Sequence, residues 1–298
     1  MEALAVDPLV VGMLQDLNDK VSMSFDADCI FINSPILSPL DEKLRVVLEE
    51  LKDDPEPKTH LAVLLETNGG MAETVERMVF SMRHHYDRVS FIVPNYAYSA
   101  GTILALSGDA IWMDYFSVLG PIDPQYPSED GGFLPGLGYL SKYQELLDRI
   151  NNSENPAALQ AEIAYLIKRF DPAQLFHIEQ GIEQGKALIK EWLPKYKFKD
   201  WTKTKSSGRT VDANMREKRA GEIAEILGDA KRWHSHGRGI PMKELTGEDI
   251  KLEIDDFGQD KLMSDLVRHY HGLCVDYYST KSGMVSYIHT IKGARRVL

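Results

Sequence analysis

The sequence predicts an α/β fold made of stacked βα units, followed by a helical C-terminal region. Two observations support this prediction. Short apolar runs alternate with amphipathic helical patterns over the first part of the chain, and helical patterns dominate from about residue 136 onward. No internal repeat or low-complexity segment interrupts them. Such alternation is typical of a parallel sheet with helices packed against it.

The first βα unit begins with CIFINSPI at 29–36, which is typical of a strand. Ser38, Pro39 and Asp41 then supply a helix cap, a first-turn proline and an early acidic residue, so a helix is predicted to follow at once. Its apolar stripe consists of Leu40, Leu44, Val47, Leu48 and Leu51.

The second unit begins with HLAVLLETNGG at 60–70, a nearly continuous apolar run that enters an Asn-Gly-Gly turn. This pattern predicts a parallel strand covered on both faces. A third strand is predicted at 88–95, where RVSFIVPN ends just after a proline. The helix between them is predicted to bury Met71, Val75, Met78, Val79 and Met82.

The next stretch, NYAYSAGTILALSGDAIWMD at 95–114, places Ser99 where a turn-forming segment becomes an apolar run. GTILALSG is typical of a short buried helix, and DAIWMD of a strand. Two interpretations of Ser99 follow. It is either a nucleophile at the start of a helix, or only a helix cap or small packing residue.

The remaining chain is predicted to be mainly helical, and IKLEI at 250–254 is the one plausible strand beyond the Lys-rich segment at 195–209. We expect an α/β domain over 20–195 and a mainly helical extension over 196–298. The extension is expected to pack on the core or on a neighbouring subunit.

Composition and charge exclude several classes of protein. A net charge of -11 and a pI near 5.3 oppose general binding of nucleic acid. No apolar stretch approaches the roughly 18 residues of a membrane span, and the N-terminus lacks a signal-peptide pattern, so a cytoplasmic protein is expected. Cys29 and Cys274 lack metal-ligand spacing and are expected to be reduced, buried thiols.

A nucleophilic serine needs a base to accept its proton. No Lys, Arg or His occurs from Gly101 to Ser141, so Lys142 is the first basic side chain downstream of Ser99. A lysine can act as a base only if burial lowers its pKa, and neighbouring apolar side chains of the same helix could form the necessary wall. The neighbouring apolar side chains are those of Tyr139, Tyr143 and Leu146. The alternative interpretation is that Lys142 is an ordinary exposed helix lysine.

The nucleophile also needs backbone donors for the developing oxyanion. Gly69 and Gly70 end a strand and precede a helix, where exposed N–H groups can form such a hole, although a tight turn alone would explain them. Ala100 follows Ser99 and would supply a second donor. The histidines of the HSH stretch at 234–236 are expected to be surface or structural residues, because no metal-ligand spacing accompanies them.

The order of three motifs, LLETNGGMAETVERM, FIVPNYAYSAGTILALSGDAIWMD and LGPIDPQ, resembles the serine dehydrogenase proteinase family. That family is a branch of the ClpP/crotonase-fold peptidases, related to signal peptide peptidase A and to NfeD-type membrane-associated proteases. The match is clearest over residues 25–150, and the C-terminal third resembles the family more loosely, through its helices and the HGRGI stretch.

This resemblance implies a ClpP/crotonase-like fold and a cofactor-free serine endopeptidase. It implies Ser99 as the nucleophile, the N–H groups of Gly70 and Ala100 as oxyanion donors, and Lys142 as the base. ClpP uses a histidine and an aspartate, and its histidine falls in the segment corresponding to GPIDPQ, where this chain has Asp123. The departure favours a Ser-Lys dyad, with supporting roles for Gly69 and for Asp123, which would orient the lysine or cap a turn.

The resemblance also implies a peptide or unfolded protein as substrate and a homo-oligomer as the assembled state, with peripheral membrane association left open. Two rival interpretations remain. The first is a catalytically silent scaffold or binding protein on the same fold. The second is an acyl-CoA enzyme of the crotonase type, which would need a basic groove for its nucleotide, and no such groove is evident near the glycines.

Overall fold

The structure is a computed structural model that describes residues 6–123, 125–127, 133–152, 155–204 and 207–298. Residues 1–5 of the N-terminal segment and residues 205–206 of the Lys-rich segment lie outside these ranges. The α-helices are α1 (Val6–Phe25), α2 (Leu40–Lys52), α3 (Ala72–His85), α4 (Ala100–Leu106), α5 (Gly136–Asn151), α6 (Pro156–Arg169), α7 (Pro172–Lys195), α8 (Ala213–Leu227), α9 (Ala230–Trp233), α10 (Met242–Leu245) and α11 (Lys261–Cys274).

The strands are mostly short. They are β1 (Asp28–Asn33), β2 (His60–Glu66), β3 (Arg88–Ile92), β4 (Tyr96–Ala97), β5 (Ala110–Met113), β6 (Val118–Leu119), β7 (Gln125–Pro127), β8 (Phe133–Pro135), β9 (Ile240–Pro241), β10 (Asp255–Asp256), β11 (Tyr287–Thr290) and β12 (Gly293–Arg296). A 3₁₀ turn at Phe257–Gln259 precedes α11, and a π-helix at Val275–Lys281 follows it.

A seven-stranded sheet forms the centre of the fold, in the order β10-β5-β3-β2-β1-β11-β12. The five strands from β10 to β1 are parallel, whereas β11 and β12 are antiparallel to their neighbours. The successive parallel βα units confirm the predicted α/β class. This arrangement follows from the apolar strands, which can be buried only if helices cover both faces of the sheet.

Side chains of β2 show how the two faces are filled. Leu61, Val63 and Leu65 belong to the core that includes residues of α2, α3 and α4, while Ala62 and Leu64 belong to a second core that includes residues of α1 and α11. Alternate residues of a strand point to opposite faces, so a continuous apolar run serves both cores. The Ser99 region lies on the face of the first core, because Ala100 is part of it.

A second sheet, with the strand order β4-β6-β9, lies next to the start of α4. β4 and β6 are parallel, with Ala97 opposite Leu119. β6 and β9 are antiparallel, with Leu119 opposite Ile240. This small sheet therefore connects the segment that carries Ser99 with a distant part of the C-terminal region. A two-stranded sheet of β7 and β8 completes the described strands.

Several sequence predictions of local structure need correction. Residues 250–254 form no strand, because Lys251 has a φ of 49° and breaks the extended conformation, and β10 follows instead. The strands β11 and β12 were not predicted. Ser38 does not cap α2, whose N-cap is Pro39. Met71 is exposed because it precedes α3 in an extended conformation.

Both cysteines are buried free thiols, as predicted. Burial raises the pKa of both thiols well above the usual range, which makes them poor nucleophiles. Within the described ranges, no helix combines the length and apolar character that a membrane crossing requires.

Candidate active site

Ser99 occupies the N-cap position of α4, but its hydroxyl does not cap the helix. Its backbone carbonyl accepts hydrogen bonds from the N–H groups of Thr102 at 2.9 Å and Ile103 at 3.3 Å. The side chain makes no capping bond with any residue that the structure describes. The interpretation of Ser99 as a helix cap therefore does not account for the hydroxyl group.

The backbone of Ser99 is in an unusual conformation for a residue with a side chain. Its φ is 54° and its ψ is -117°. The N–H of Gly101 donates to the carbonyl of Tyr98 at 2.8 Å, so Ser99 is the second residue of a four-residue turn. These angles match the second position of a type II′ turn, where glycine is normal. A serine there costs on the order of 1–3 kcal/mol, and such strain is often found at catalytic positions.

The glycine turn after β2 lies against Ser99. A Cβ added to Gly69 would lie 2.8 Å from the Cβ of Ser99 and 2.7 Å from the carbonyl oxygen of Tyr98. A Cβ added to Gly70 would lie 2.1 Å from the carbonyl oxygen of Ile36. Any side chain at either position would displace backbone, so both positions require glycine.

The backbone N–H groups of Gly70 and Ala100 remain available. The residues before and after Gly70 are both hydrogen-bonded to Ile36. The N–H of Ile36 donates to the carbonyl oxygen of Gly69 at 2.8 Å, and the N–H of Met71 donates to the carbonyl oxygen of Ile36 at 2.9 Å. Neither Gly70 nor Ala100 has a hydrogen-bond acceptor for its own N–H among the described residues. Two unused donors flanking a nucleophile can stabilise a developing oxyanion.

Thr102 holds the start of α4 against β6. Its buried hydroxyl lies 2.9 Å from the carbonyl oxygens of Ala97 and Gly120 and accepts the N–H of Gly120 at 2.9 Å. Gly120 in turn touches the Ser99 turn, since a Cβ added there would lie 3.1 Å from the backbone N of Ser99. The position of Ser99 is thus fixed from two directions.

Lys142 lies on α5, away from these contacts. Its side chain is 73% exposed, and its Nζ lies 2.7 Å from Oε2 of Glu145. Tyr139 and Tyr143 pack against the ring of Phe170 instead of enclosing the lysine amine. No hydrogen bond joins Lys142 to Ser99 in the described part of the chain.

Asp123 pairs with a histidine of the C-terminal region. It is buried, and its Oδ1 lies 2.9 Å from Nδ1 of His236, whose side chain is 11% exposed. Its Oδ2 is buried with no partner among the described residues. A cleft of about 1080 Å³ is lined by both residues and also by Lys142.

His236 was expected to be a surface or structural residue, so its pairing with Asp123 was missed. The two residues are 113 positions apart. The pairing of β6 with β9 brings the two segments together, and two-residue strands leave almost no periodic signal in a sequence. The described residues contain no cluster of His, Cys, Asp and Glu side chains suited to a metal ion.

A comparison with known families finds a match over the segment that carries Ser99 and the glycine turn. Residues 29–130 match the family described as ClpP-like SDH-type serine proteinase. This match confirms the family resemblance over that segment, which includes Ser99 and the glycine turn.

Two relatives come from Methanocaldococcus jannaschii. The chain is 26% identical to the uncharacterized protein MJ1495 over 202 residues, which cover 63% of this chain and 64% of the relative. It is 36% identical to the uncharacterized protein MJ0137 over 91 residues, which cover 30% of each chain. The chain therefore spans less than two thirds of the length of either relative.

Solved structures show a more remote likeness. The 1510-N membrane-bound stomatin-specific protease, solved as a serine-to-alanine mutant, has a TM-score of 0.42 at 14% identity, over 76% of each chain. ClpP1 from Listeria monocytogenes has a TM-score of 0.40 at 11% identity, over 80% of this chain and 91% of the other.

Proposed function

We propose that this protein is a serine endopeptidase that hydrolyses peptide bonds through an acyl-enzyme on Ser99. The observation that carries the proposal is the strained, uncapped Ser99 at a turn packed against Gly69. The alternative of a catalytically silent scaffold offers no reason to keep a β-carbon at a φ of 54° or to leave the hydroxyl without a capping role.

In this proposal the N–H groups of Gly70 and Ala100 bind the oxyanion of the tetrahedral intermediate. Both donors are backbone groups held by rigid turns, so little reorganisation is needed when negative charge develops on the substrate oxygen. The loss of one such donor typically costs about 10²–10³ in kcat.

The Ser-Lys form of the proposal assigns the base to Lys142, as the family resemblance implies. Lys142 would have to leave Glu145, lose its charge in an apolar environment and approach Ser99. Closure of the cleft or contact with another subunit of a homo-oligomer would have to provide that environment. Asp123 lines the same cleft as Lys142 and is the supporting residue of this form.

The proposed substrate is an extended peptide or an unfolded protein. This substrate follows from the family resemblance, because an extended peptide can bind such a fold by adding its backbone hydrogen bonds to a strand edge. No cofactor or nucleic acid takes part in this proposal. Cytoplasmic location and peripheral membrane association also belong to the proposal.

The test is to incubate the purified protein with an unstructured protein and to identify fragments by mass spectrometry, beside Ser99→Ala and Lys142→Ala. We expect the parent to cleave and Ser99→Ala to be inactive while folded. Loss of cleavage in Lys142→Ala as well would support the dyad. Equal inertness of the parent and Ser99→Ala in the assembled state would favour the scaffold.

A further inference from the structure

The small sheet brings three distant segments to one end. Ser99 follows the parallel strand β4 by two residues, and Asp123 follows β6 by four. His236 precedes the antiparallel strand β9 by four residues. Because β9 runs in the opposite direction, the residues before it lie at the same end of the sheet as the residues after β4 and β6.

The pairing of Asp123 with His236 continues the register of these strands. Leu119 is opposite Ile240 in the β6–β9 ladder, and four further steps along each chain bring Asp123 opposite His236. Their side chains are hydrogen-bonded at 2.9 Å. The pair is therefore held by the same sheet that positions Ser99, and Gly120 of the connecting segment contacts the Ser99 backbone.

The hydrogen bond determines what the imidazole of His236 can do. An ionised carboxylate accepts only, so Nδ1 of His236 donates to Asp123 and Nε2 carries the free lone pair. No residue in the described ranges bonds to Nε2. By contrast, His60 uses both ring nitrogens, with Phe25 at 3.0 Å and with Ser90 at 2.8 Å, as a structural histidine does.

A second histidine–carboxylate pair provides a comparison. Nε2 of His271 lies 2.6 Å from Oε2 of Glu66 at the end of β2. Glu66 alternates with Leu65 and so points to the face of α11, opposite the face that contains Ala100. The His271 pair is thus separated from Ser99 by the central sheet, whereas Asp123 and His236 lie at the end of the small sheet that Ser99 also follows, and they line a cleft.

We propose that His236, oriented by Asp123, takes the proton of Ser99 in place of Lys142. The inference rests on the proposed serine peptidase function and assigns a different residue as its general base. His236 must close on Ser99 when the substrate binds, since no hydrogen bond joins them in the described residues. Catalytic hydrogen bonds are often long in the absence of substrate.

The proton balance is simple. Oγ of Ser99 attacks the peptide carbonyl carbon while its proton passes to Nε2 of His236, and Asp123 stabilises the resulting imidazolium. Breakdown of the intermediate breaks the C–N bond, and Nε2 returns the proton to the leaving amine. Water then attacks the acyl-enzyme, gives a proton to Nε2, and this proton restores the Ser99 hydroxyl as the acid product leaves.

The test compares kcat/KM for a peptide substrate among the parent, His236→Gln, His236→Ala, Lys142→Ala and His271→Gln. Glutamine can still donate to Asp123, so His236→Gln keeps the buried carboxylate paired while it removes the base. We expect it to lose about 10²–10⁴ in kcat/KM at an unchanged melting temperature. His271→Gln is the matched control, and its kcat/KM should remain close to that of the parent.

Chemical rescue separates a catalytic role from a structural one. Added imidazole should restore part of the activity of His236→Ala but none of the activity of Ser99→Ala. A loss in Lys142→Ala at least as large as that in His236→Gln, or a folded His236→Ala that imidazole does not rescue, would overturn the inference. Both results leave the peptidase function standing, whereas cleavage that survives Ser99→Ala would remove the proposed function and this inference together.

Discussion

At the scale of single residues, the most informative feature is the backbone of Ser99. A serine holds the second position of a turn that suits glycine, with a φ of 54°. Conformational strain of this kind persists only when the surroundings determine it. Here the surroundings are Gly69 on one side and Gly120 on the other, both too close to Ser99 to carry a side chain.

This strain predicts opposite effects of Ser99→Gly on stability and activity. Glycine relieves on the order of 1–3 kcal/mol of strain but costs about 0.5–1 kcal/mol of chain entropy, so a net gain of about 1 kcal/mol is expected. Cleavage should be lost because the nucleophile is absent. Denaturant unfolding of Ser99→Gly beside Ser99→Ala measures the difference, and a glycine variant no more stable than the alanine variant would show that the turn is unstrained.

At the scale of elements, the hydroxyl of Thr102 links α4 to neighbouring segments of the backbone. Thr102 contacts backbone groups of Ala97 and Gly120, which belong to β4 and to the segment after β6. The start of α4 therefore depends on a side chain inside the helix as well as on the turn at Ser99. A change at Thr102 is therefore expected to alter both the stability of the protein and the position of Ser99.

Replacing Thr102 by valine tests this coupling. The substitution keeps the shape of the side chain but leaves the buried N–H of Gly120 without an acceptor, which costs about 1–3 kcal/mol. We expect a lower free energy of unfolding together with a lower kcat, measured by denaturant titration and peptide cleavage. Thr246→Val is the control, because Thr246 is exposed and bonds only to carbonyls of its own helix. Equal effects of the two substitutions would contradict the prediction.

The sequence could predict the elements near Ser99 but not the contact that Asp123 makes with His236. β2 was predictable because both cores need apolar side chains from one strand, and the Gly69–Gly70 turn was predictable because it ends that run. The contact of Asp123 with His236 was not, because it depends on a two-residue strand that contains Pro241. For Lys142 the sequence left two interpretations open, a buried base and an exposed helix lysine. In the structure the amine is exposed, and Tyr139 and Tyr143 pack against Phe170.

At the scale of the whole molecule, the C-terminal region is part of the central sheet. β11 pairs with β1, and its residue His289 is fully buried. Nδ1 of His289 lies 2.7 Å from the hydroxyl of Tyr270, while its Nε2 has no partner in the described chain. Burial lowers the pKa of His289 to about 4. The sheet therefore requires this imidazole to be neutral.

The consequence is a loss of stability in mild acid. The unfolded chain binds a proton at this histidine below a pH of about 6.5, whereas the folded chain binds it only below about 4. The free energy of unfolding is thus unaffected by this histidine above the pKa of the unfolded chain, about 6.5. It decreases by about 3 kcal/mol in total as the pH falls from about 6.5 to about 4.

Unfolding titrations across this pH range should show a shallower slope for His289→Gln than for the parent. Some slope should remain, because burial also lowers the pKa of His60. An unchanged slope in His289→Gln would show that this residue is not the source of the acid sensitivity.

The placement of β9 and β11 has a consequence for synthesis on the ribosome. The nascent chain contains Ser99 and its glycine turn long before the residues that form β9 and β11 emerge. Until then, β1 lacks its neighbour β11, and Asp123 lacks its hydrogen-bond partner His236. The central sheet and the Asp123–His236 pair are therefore completed only once these C-terminal strands have been made.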